Sequence, residues 1–116
     1  MDIERLEESD TVEAVPSTHL TQLAAGERMS VQQFRIEPGA VVPSHSHRHE
    51  QAGYIAQGEL TFLLGDEDDP EEVVVGPGGG YVLAGEEVHG AENRGEETVL
   101  GVDVFSPPRT DPDWAE

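Results

Sequence analysis

The sequence predicts an all-β protein, an antiparallel sandwich or barrel of the jelly-roll type, and three observations support this prediction. Thirteen glycines and eight prolines are spread through 116 residues as breaks between short apolar runs. Nine of these runs have strand-like composition and span four to nine residues each. No central segment has the periodicity of a helix. Many short strands joined by turns are typical of closed or two-layered antiparallel sheets.

The predicted strands follow one another with little intervening chain. They are Leu20–Ala25, Met29–Glu37, Ala40–His47, Gln51–Gln57, Glu59–Leu64, Glu72–Val75, Gly80–Ala84, Val88–Asn93 and Glu97–Phe105. Residues with turn chemistry separate several of them, namely Pro38-Gly39, Gly58, Gly65-Asp66 and Pro77–Gly80. The acidic run over residues 66–72 lacks the alternating ligands of a calcium loop, so we interpret it as a solvated hairpin tip.

The chain divides into three segments around one domain. Residues 1–17 are predicted to form an acidic N-terminal arm, with a frayed helix or a loose arm over residues 1–15. Residues 18–109 hold the β-barrel, and 116 residues leave no room for a second domain of normal size. Residues 110–116 form a C-terminal tail.

The charge of the chain excludes two classes of partner. Its 25 Asp and Glu against six basic residues, all of them Arg, give a formal net charge of −19. Such a surface repels nucleic acid and anionic membranes, because both are bound through clustered cations. A folded core under a hydrated acidic shell without lysine is typical of a protein from a halophile.

The chain has no cysteine, which excludes disulfides and thiolate metal sites. Its first residues have neither a basic nor an apolar region of the kind found in signal peptides, and no apolar run approaches the ~20 residues that span a bilayer. We therefore expect a soluble protein in the cytoplasm.

Four of the five histidines fall in two places, His45, His47 and His49 in one and His89 in the other. Residues i and i+2 of a strand project from the same face, so His45 and His47 can converge on one ion. An isolated His-x-His is more often a solvated strand end. The neighbouring residues therefore decide its meaning.

The segment from Gly39 to Gly58 resembles the first motif of the cupin family, with His45 and His47 as its His-x-His pair and Gln51 in its Glu position. Gly78–Asn93 is similar to the second motif, which contains His89. There Ala84 and Glu86 replace the usual proline and glycine, and we expect the turn before His89 to use Gly85. The resemblance implies a single-domain cupin, a double-stranded β-helix.

The same resemblance implies four metal ligands: His45, His47, Gln51 and His89. Three imidazoles and an amide oxygen suit a divalent transition metal such as Ni, Zn, Fe, Mn or Co, and the sequence does not choose among them. Neutral ligands leave the ion its full charge for a Lewis-acid role. His49 and Glu50 remain alternatives to Gln51, and His19 is expected at the surface.

The last predicted strand places Asp103 on one face together with Val99, Gly101 and Phe105. Composition alone favours a solvent-facing Asp103 and an ordinary surface Arg109. However, residues 103–109 resemble the C-terminal signature of the small cupins that linearise unsaturated uronates, the KdgF type. This resemblance implies that Asp103 transfers a proton or binds a hydroxyl, that Phe105 is a pocket wall, and that Arg109 clamps a carboxylate.

The expected function is the metal-dependent ring opening of 4,5-unsaturated monouronates to linear keto acids in pectin or alginate breakdown. Two alternatives stay open: a cupin dioxygenase with Fe or Mn, and a non-catalytic cupin that binds a sugar or a metal. The dioxygenase would need a redox metal and O₂, whereas ring opening needs neither electrons nor oxygen. The expected partners are a small anionic sugar acid and, as an alternative to a monomer, a second copy in a homodimer.

Overall fold

The computed structural model of the protein describes residues 1–110, which contain ten strands, one 3₁₀ turn and no α-helix. The 3₁₀ turn spans Leu6–Glu8. The strands are β1 (Thr11–Val15), β2 (Thr18–Ala25), β3 (Ser30–Ile36), β4 (Val41–His45), β5 (Glu50–Gln57), β6 (Leu60–Leu64), β7 (Glu71–Val75), β8 (Gly80–Leu83), β9 (His89–Glu92) and β10 (Val99–Ser106).

These strands form two sheets in which every pairing is antiparallel. The larger sheet has the order β1-β2-β3-β10-β5-β8, and the smaller has the order β4-β9-β6-β7. Non-consecutive strands lie side by side in both sheets, as a jelly roll requires. The predicted all-β jelly-roll fold is confirmed.

Alternation along the strands places the core between the two sheets. In β3 the residues of even number are buried, and in β10 those of odd number are buried. The apolar core consists of Phe34, Ile36, Ala40, Ile55, Leu60, Phe62, Leu83, Ala91 and Val99.

The N-terminal segment differs from the expected frayed helix or loose arm. Only three of its residues form a helical turn, and β1 pairs with β2, with Thr11 opposite Thr21 and Val12 opposite Leu20. The β-branched side chains of Thr11 and Val12 favour an extended chain at the edge of the sheet. The predicted tail over residues 110–116 lies outside the described residues, apart from Thr110.

The turn predictions are confirmed, since β3 and β4, β5 and β6, β6 and β7, and β7 and β8 are each joined at the predicted turn residues. The acidic run connects β6 to β7 as a hairpin tip. One strand ends earlier than expected, because β4 stops at His45 and residues 46–49 leave the sheet. Within residues 1–110, no helix has the length and apolar character needed to cross a bilayer.

Candidate metal centre

Three histidines converge at one end of the space between the sheets. One nitrogen from each of His45, His47 and His89 lies within 4.8 Å of the other two, and among the described residues no other group of histidines and carboxylates meets this condition. His89 is buried and the other two are partly buried. Three imidazole nitrogens at this spacing could hold a divalent metal ion and leave further positions open.

Each of the three histidines comes from a different structural context. His45 ends β4 and lies opposite His89, the first residue of β9, in the smaller sheet. His47 belongs to the loop that carries the chain to β5 in the larger sheet. The expected reason for the convergence of His45 and His47 was therefore wrong: the loop, and not strand alternation, brings their rings to a centroid separation of 5.7 Å.

Backbone carbonyls select the tautomer of each ring. Nδ1–H donates to the carbonyl of Pro43 in His45 (2.8 Å), of His49 in His47 (3.1 Å) and of Glu87 in His89 (2.9 Å). A carbonyl can only accept, so Nδ1 carries the hydrogen in all three rings. Nε2 remains as the nitrogen that can bind a metal, an arrangement common in metal sites.

Gln51 presents its side-chain oxygen to this group. Its Oε1 lies 3.2 Å from His47 Nε2, and its side chain also hydrogen-bonds to the carboxylate of Asp103. Only the amide nitrogen can donate to a carboxylate, so Asp103 orients the amide with its oxygen toward the histidines.

The donor set fits a divalent metal. Burial is the main cause that lowers the pKa of His47 to about 4, and the charge of Arg109 lowers it further. Burial also lowers the pKa of His89. Both rings are neutral at neutral pH, so His47 Nε2 and Gln51 Oε1 face each other as two acceptors. A cation bound by both atoms would remove the repulsion between these two acceptors.

The other histidines and Glu50 lie outside this group. Glu50 is exposed and lies opposite Ser106 in the sheet. The ring of His49 stands behind His47, at a centroid distance of 5.4 Å. His19 lies on β2, where its Nε2 is 2.8 Å from a carboxylate oxygen of Glu37, and it is only partly exposed.

The turn that precedes His89 keeps the loop of His47 in place. The Glu87 amide donates to the Ala84 carbonyl (3.2 Å), and the Glu86 amide donates to the His47 carbonyl (2.7 Å). Glu86, not Gly85, has the positive φ of 68°. The expectation that this turn uses Gly85 is confirmed, since Gly85 and Glu86 form it. A glycine is needed at position 85 because a Cβ there would lie 2.8 Å from the Arg48 carbonyl.

A cavity of about 390 Å³ opens between the sheets next to the histidines. Its walls come from both sheets and are largely apolar, with side chains such as Val15, Leu20, Phe34 and Phe62. Gln51, Asp103, Phe105 and Arg109 line it as well. An apolar cavity with a few convergent polar groups is typical of a small-molecule site.

Asp103 faces this cavity and not solvent, contrary to what composition alone favoured. It is 6% exposed, and the Tyr81 hydroxyl donates to its Oδ1 at 2.6 Å. Burial raises the pKa of Asp103 to about 6, although the hydrogen bonds from Tyr81 and Gln51 and the charge of Arg109 oppose the shift. Burial and the nearby carboxylate raise the pKa of Tyr81. The raised pKa brings protonation of Asp103 closer to neutral pH, where a group that transfers protons is most effective.

A glycine on the intervening strand makes this hydrogen bond possible. Tyr81 on β8 lies opposite Gly53 on β5, which lies opposite Asp103 on β10. A Cβ at Gly53 would overlap the Tyr81 ring. The phenol crosses β5 only because position 53 has no side chain.

Phe105 and Arg109 form the wall beside His47. Phe105 is 1% exposed, and its ring centroid is 5.8 Å from that of His47. The Arg109 guanidinium carbon lies 5.2 Å from the Phe105 ring centroid, and its backbone amide donates to Ser30 Oγ at 2.9 Å. Arg109 is half-buried and brings a positive charge to the cavity.

Sequence reasoning missed three residues of this site: Tyr81, Gly53 and Gln32. Gln32 lines the cavity and is 3% exposed. It occupies the same face of β3 as Phe34 and Ile36, so a polar residue within an apolar alternation was the available signal. Tyr81 and Gly53 had no such signal, because their roles depend on which strands are neighbours.

The cupin domain family matches residues 32–105 of this chain. Among solved structures, KdgF from Halomonas sp. is 28% identical, with a TM-score of 0.82 over 96% of this chain and 97% of that chain. A RmlC-like cupin from Shewanella frigidimarina NCIMB 400 is 22% identical, with a TM-score of 0.80 over 94% and 93% of the two chains.

A more distant structural relative is a single-residue variant of oxalate decarboxylase from Bacillus subtilis. It is 17% identical, with a TM-score of 0.77 over 90% of this chain and 29% of that chain. Likenesses at 17% and 22% identity show a shared fold alone. No sequence among the curated proteins matches.

Proposed function

Because the chain belongs to the cupin family, we propose that it is a metal-dependent enzyme that opens the ring of 4,5-unsaturated monouronates to give linear keto acids. The observation that carries the proposal is a combination in one cavity. Two of the three clustered histidines, His45 and His89, line it together with the buried carboxyl of Asp103 and the cation of Arg109. The resemblance of residues 103–109 to the uronate-linearising cupins and the likeness to KdgF support it.

A divalent metal would be held by Nε2 of the three histidines and by Gln51 Oε1. When bound, it supplies a Lewis acid for substrate oxygens, with its full charge because all four ligands are neutral. A chain with a net charge of −19 repels anions at long range. The positive charge that attracts an anionic substrate therefore has to be local.

Ring opening is an isomerisation that needs only proton transfers. The hemiacetal hydroxyl at C1 loses its proton, the bond from C1 to the ring oxygen breaks, and an aldehyde forms at C1. The ring oxygen becomes an enol hydroxyl at C5. A proton then adds at C4 while the enol becomes a ketone, so that no electrons and no oxygen are consumed.

Asp103 is the residue that moves these protons in the proposal. A carboxyl group with a pKa of about 6 can take a proton from a hydroxyl and return it to carbon near neutral pH. The Tyr81 hydroxyl and the Gln51 amide both donate to this carboxylate. An ionised carboxylate has about four acceptor sites, so it can still accept a proton from the substrate.

Arg109 binds the substrate carboxylate in the proposal, because its planar fork can donate to both oxygens. The guanidinium lies over the ring of Phe105, and the same ring packs beside His47. The carboxylate of the substrate is conjugated with the C4=C5 double bond, so holding it also orients the reacting carbons.

The direct test is ultraviolet absorbance of an unsaturated monouronate, recorded together with an oxygen electrode. The conjugated double bond disappears on conversion to the keto acid, so absorbance should fall faster with enzyme and without oxygen uptake. Arg109→Ala should raise KM strongly, and Arg109→Lys should restore only part of the loss, because an ammonium cannot form the bidentate contact.

Metal content is tested separately by elemental analysis of protein purified without chelator. We expect about one divalent ion per chain, and none after His47→Ala or His89→Ala. Gln51→Ala should weaken binding less, because water can replace a neutral amide oxygen. His19→Ala is the matched control, a histidine outside the cavity, and should keep the metal.

Each alternative has its own outcome in these assays. Oxygen consumption with another substrate, and no effect on unsaturated uronates, would indicate a dioxygenase with Fe or Mn. A metal-loaded protein that is inactive in both assays would be a binding module. If His47→Ala holds as much metal as the wild type, the ligand assignment is wrong.

A further inference from the structure

A row of polar residues crosses the inner face of the larger sheet beside the metal centre. Gln22, Gln32, Asp103, Gly53 and Tyr81 lie opposite one another on β2, β3, β10, β5 and β8. Directly opposed residues of an antiparallel sheet project from the same face. We call this set the polar row.

Part of the polar row is already explained by the Tyr81–Asp103 hydrogen bond, but its other half is not. Gln32 is 3% exposed and lines the cavity. Its side-chain oxygen has no hydrogen-bond partner, and both polar atoms of the neighbouring Gln22 side chain are also buried without one. Buried amides are nearly always paired, so these atoms point to a missing partner.

One neighbouring row is apolar, so an apolar residue could also pack at position 32. The next row inward contains Leu20, Phe34, Gly101 and Ile55, which pack as core. A leucine at position 32 would continue that packing. An amide at this depth lowers stability unless something in the cavity bonds to it.

From these observations we propose that the polar row is a hydroxyl-binding subsite, in which Gln32 recognises a hydroxyl or carbonyl group of the bound sugar acid. It rests on the proposed function for the identity of the ligand. Asp103 and Gln32 are direct cross-strand neighbours, with Cβ atoms roughly 5 Å apart. A substrate with one oxygen in contact with Asp103 therefore presents its next oxygen to Gln32.

The kinetic test compares Gln32→Leu with Gln33→Leu, a matched change on the outer face of the same strand. Gln32→Leu should raise KM for the unsaturated uronate about tenfold and leave kcat within about threefold, because a binding contact is lost but not a reacting group. Gln33→Leu should change neither. An active wild type whose KM is unaffected by Gln32→Leu overturns the proposal.

A second measurement separates failure of the subsite from failure of the proposed function. Galacturonate, a saturated uronate that cannot be turned over, should raise the melting temperature of the metal-loaded wild type and of Gln33→Leu, but not that of Gln32→Leu. If the wild type is inactive on unsaturated uronate yet shows this pattern, the function fails and the subsite stands. A wild type that galacturonate does not stabilise, or a retained shift in Gln32→Leu, overturns the subsite.

Discussion

Each face of the larger sheet has a part that departs from the usual distribution of polar and apolar side chains. On the inner face, Gln32, Asp103 and Tyr81 are buried or partly buried and line the cavity. One residue further along the same strands, Val102 and Tyr54 lie on the outer face and are exposed. Proteins normally bury apolar side chains and expose polar ones, because the hydrophobic effect favours that arrangement.

The buried polar residues of the inner face and the exposed apolar residues of the outer face are not explained by folding stability alone. Buried polar groups cost free energy unless they are paired, and exposed apolar groups forgo the gain from burial. In the function proposed above, a polar ligand would pair the buried groups of the inner face. The candidate metal centre lies at the end of that face, where Gln51 hydrogen-bonds to Asp103.

The largest expected difference between the two faces comes from one substitution on each face of β10. Asp103→Asn should lower kcat on unsaturated uronate about 10²–10³-fold, because the shape is kept while the proton-transferring group is lost. Val102→Asn introduces the same residue on the outer face and should leave kcat within about twofold. Steady-state kinetics of both variants at equal metal content decide this. Equal effects of the two changes would contradict a catalytic role for the inner face.

Asp103→Asn should also stabilise the metal-free protein at neutral pH. The pKa of Asp103 is raised from an ordinary value of 3.8 to about 6 in the fold. An acid with a raised pKa favours folding while it is protonated, and this contribution is lost as the pH rises from about 4 through 6. Above about pH 6 the variant should therefore be more stable by up to roughly 3 kcal/mol.

Urea unfolding in the presence of a chelator, at pH 4, 5, 6 and 7, measures this difference. The advantage of the variant should be near zero at the lowest pH and constant above the folded pKa. A difference that does not change with pH would mean that ionisation of Asp103 is not its cause.

Gly53→Ala tests whether the residues of the polar row depend on one another for activity. The added Cβ overlaps the Tyr81 ring, so Tyr81 must leave Asp103. We expect kcat to fall on the order of tenfold, the equivalent of one hydrogen bond to a charged group. Tyr81→Phe should give a similar loss, and combining the two changes should add little, because both remove the same contact. Additive losses in this double-mutant cycle would argue against a shared mechanism.

The smallest expected effect is a change in melting temperature, produced in the turn that precedes His89. This turn lies outside both faces, so a substitution there should alter stability without altering catalysis. Glu86 is exposed and has a φ of 68°, which costs a non-glycine residue about 1 kcal/mol. Glu86→Gly should raise the melting temperature by a few degrees without changing kcat. Gly85→Ala should lower it, because its Cβ would press on the Arg48 carbonyl. The reverse order in thermal melts would contradict this account of the turn.

Local chemistry was sufficient to predict most of the fold. Alternating apolar residues and turn residues such as Gly58 and Gly65 act within a few positions of themselves, so the nine predicted strands correspond to β2–β10. The N-terminal strand was missed because the residues of Thr11–Val15 alternate only weakly, and pairing with β2 adds to the β-propensity of Thr11 and Val12.

The histidines of the candidate site were predictable because the two sequence motifs that contain them have a fixed spacing of residues. His45, His47 and His89 could be identified as a group from these motifs, and the structure brings their nitrogens together. Their mode of convergence was not predictable, because it depends on a loop that passes from one sheet to the other. The positive φ of Glu86 was missed for a similar reason: a hydrogen bond to His47 holds it.

The sequence by itself determined nine of the ten described strands, the turns, the acidic charge and the candidate ligands, because each of these depends on residue type and on spacing along a short stretch of chain. Tertiary structure alone decided which face of β10 is buried. Both faces of this strand are apolar apart from Asp103 and the terminal Ser106, so alternation separates two sets of residues without indicating which set lies inside. The packing of the two sheets turns Asp103 inward, and the neighbours on β3, β5 and β8 then surround it with Gln32, Gly53 and Tyr81. Such contacts join residues far apart in the chain, and no local pattern encodes them.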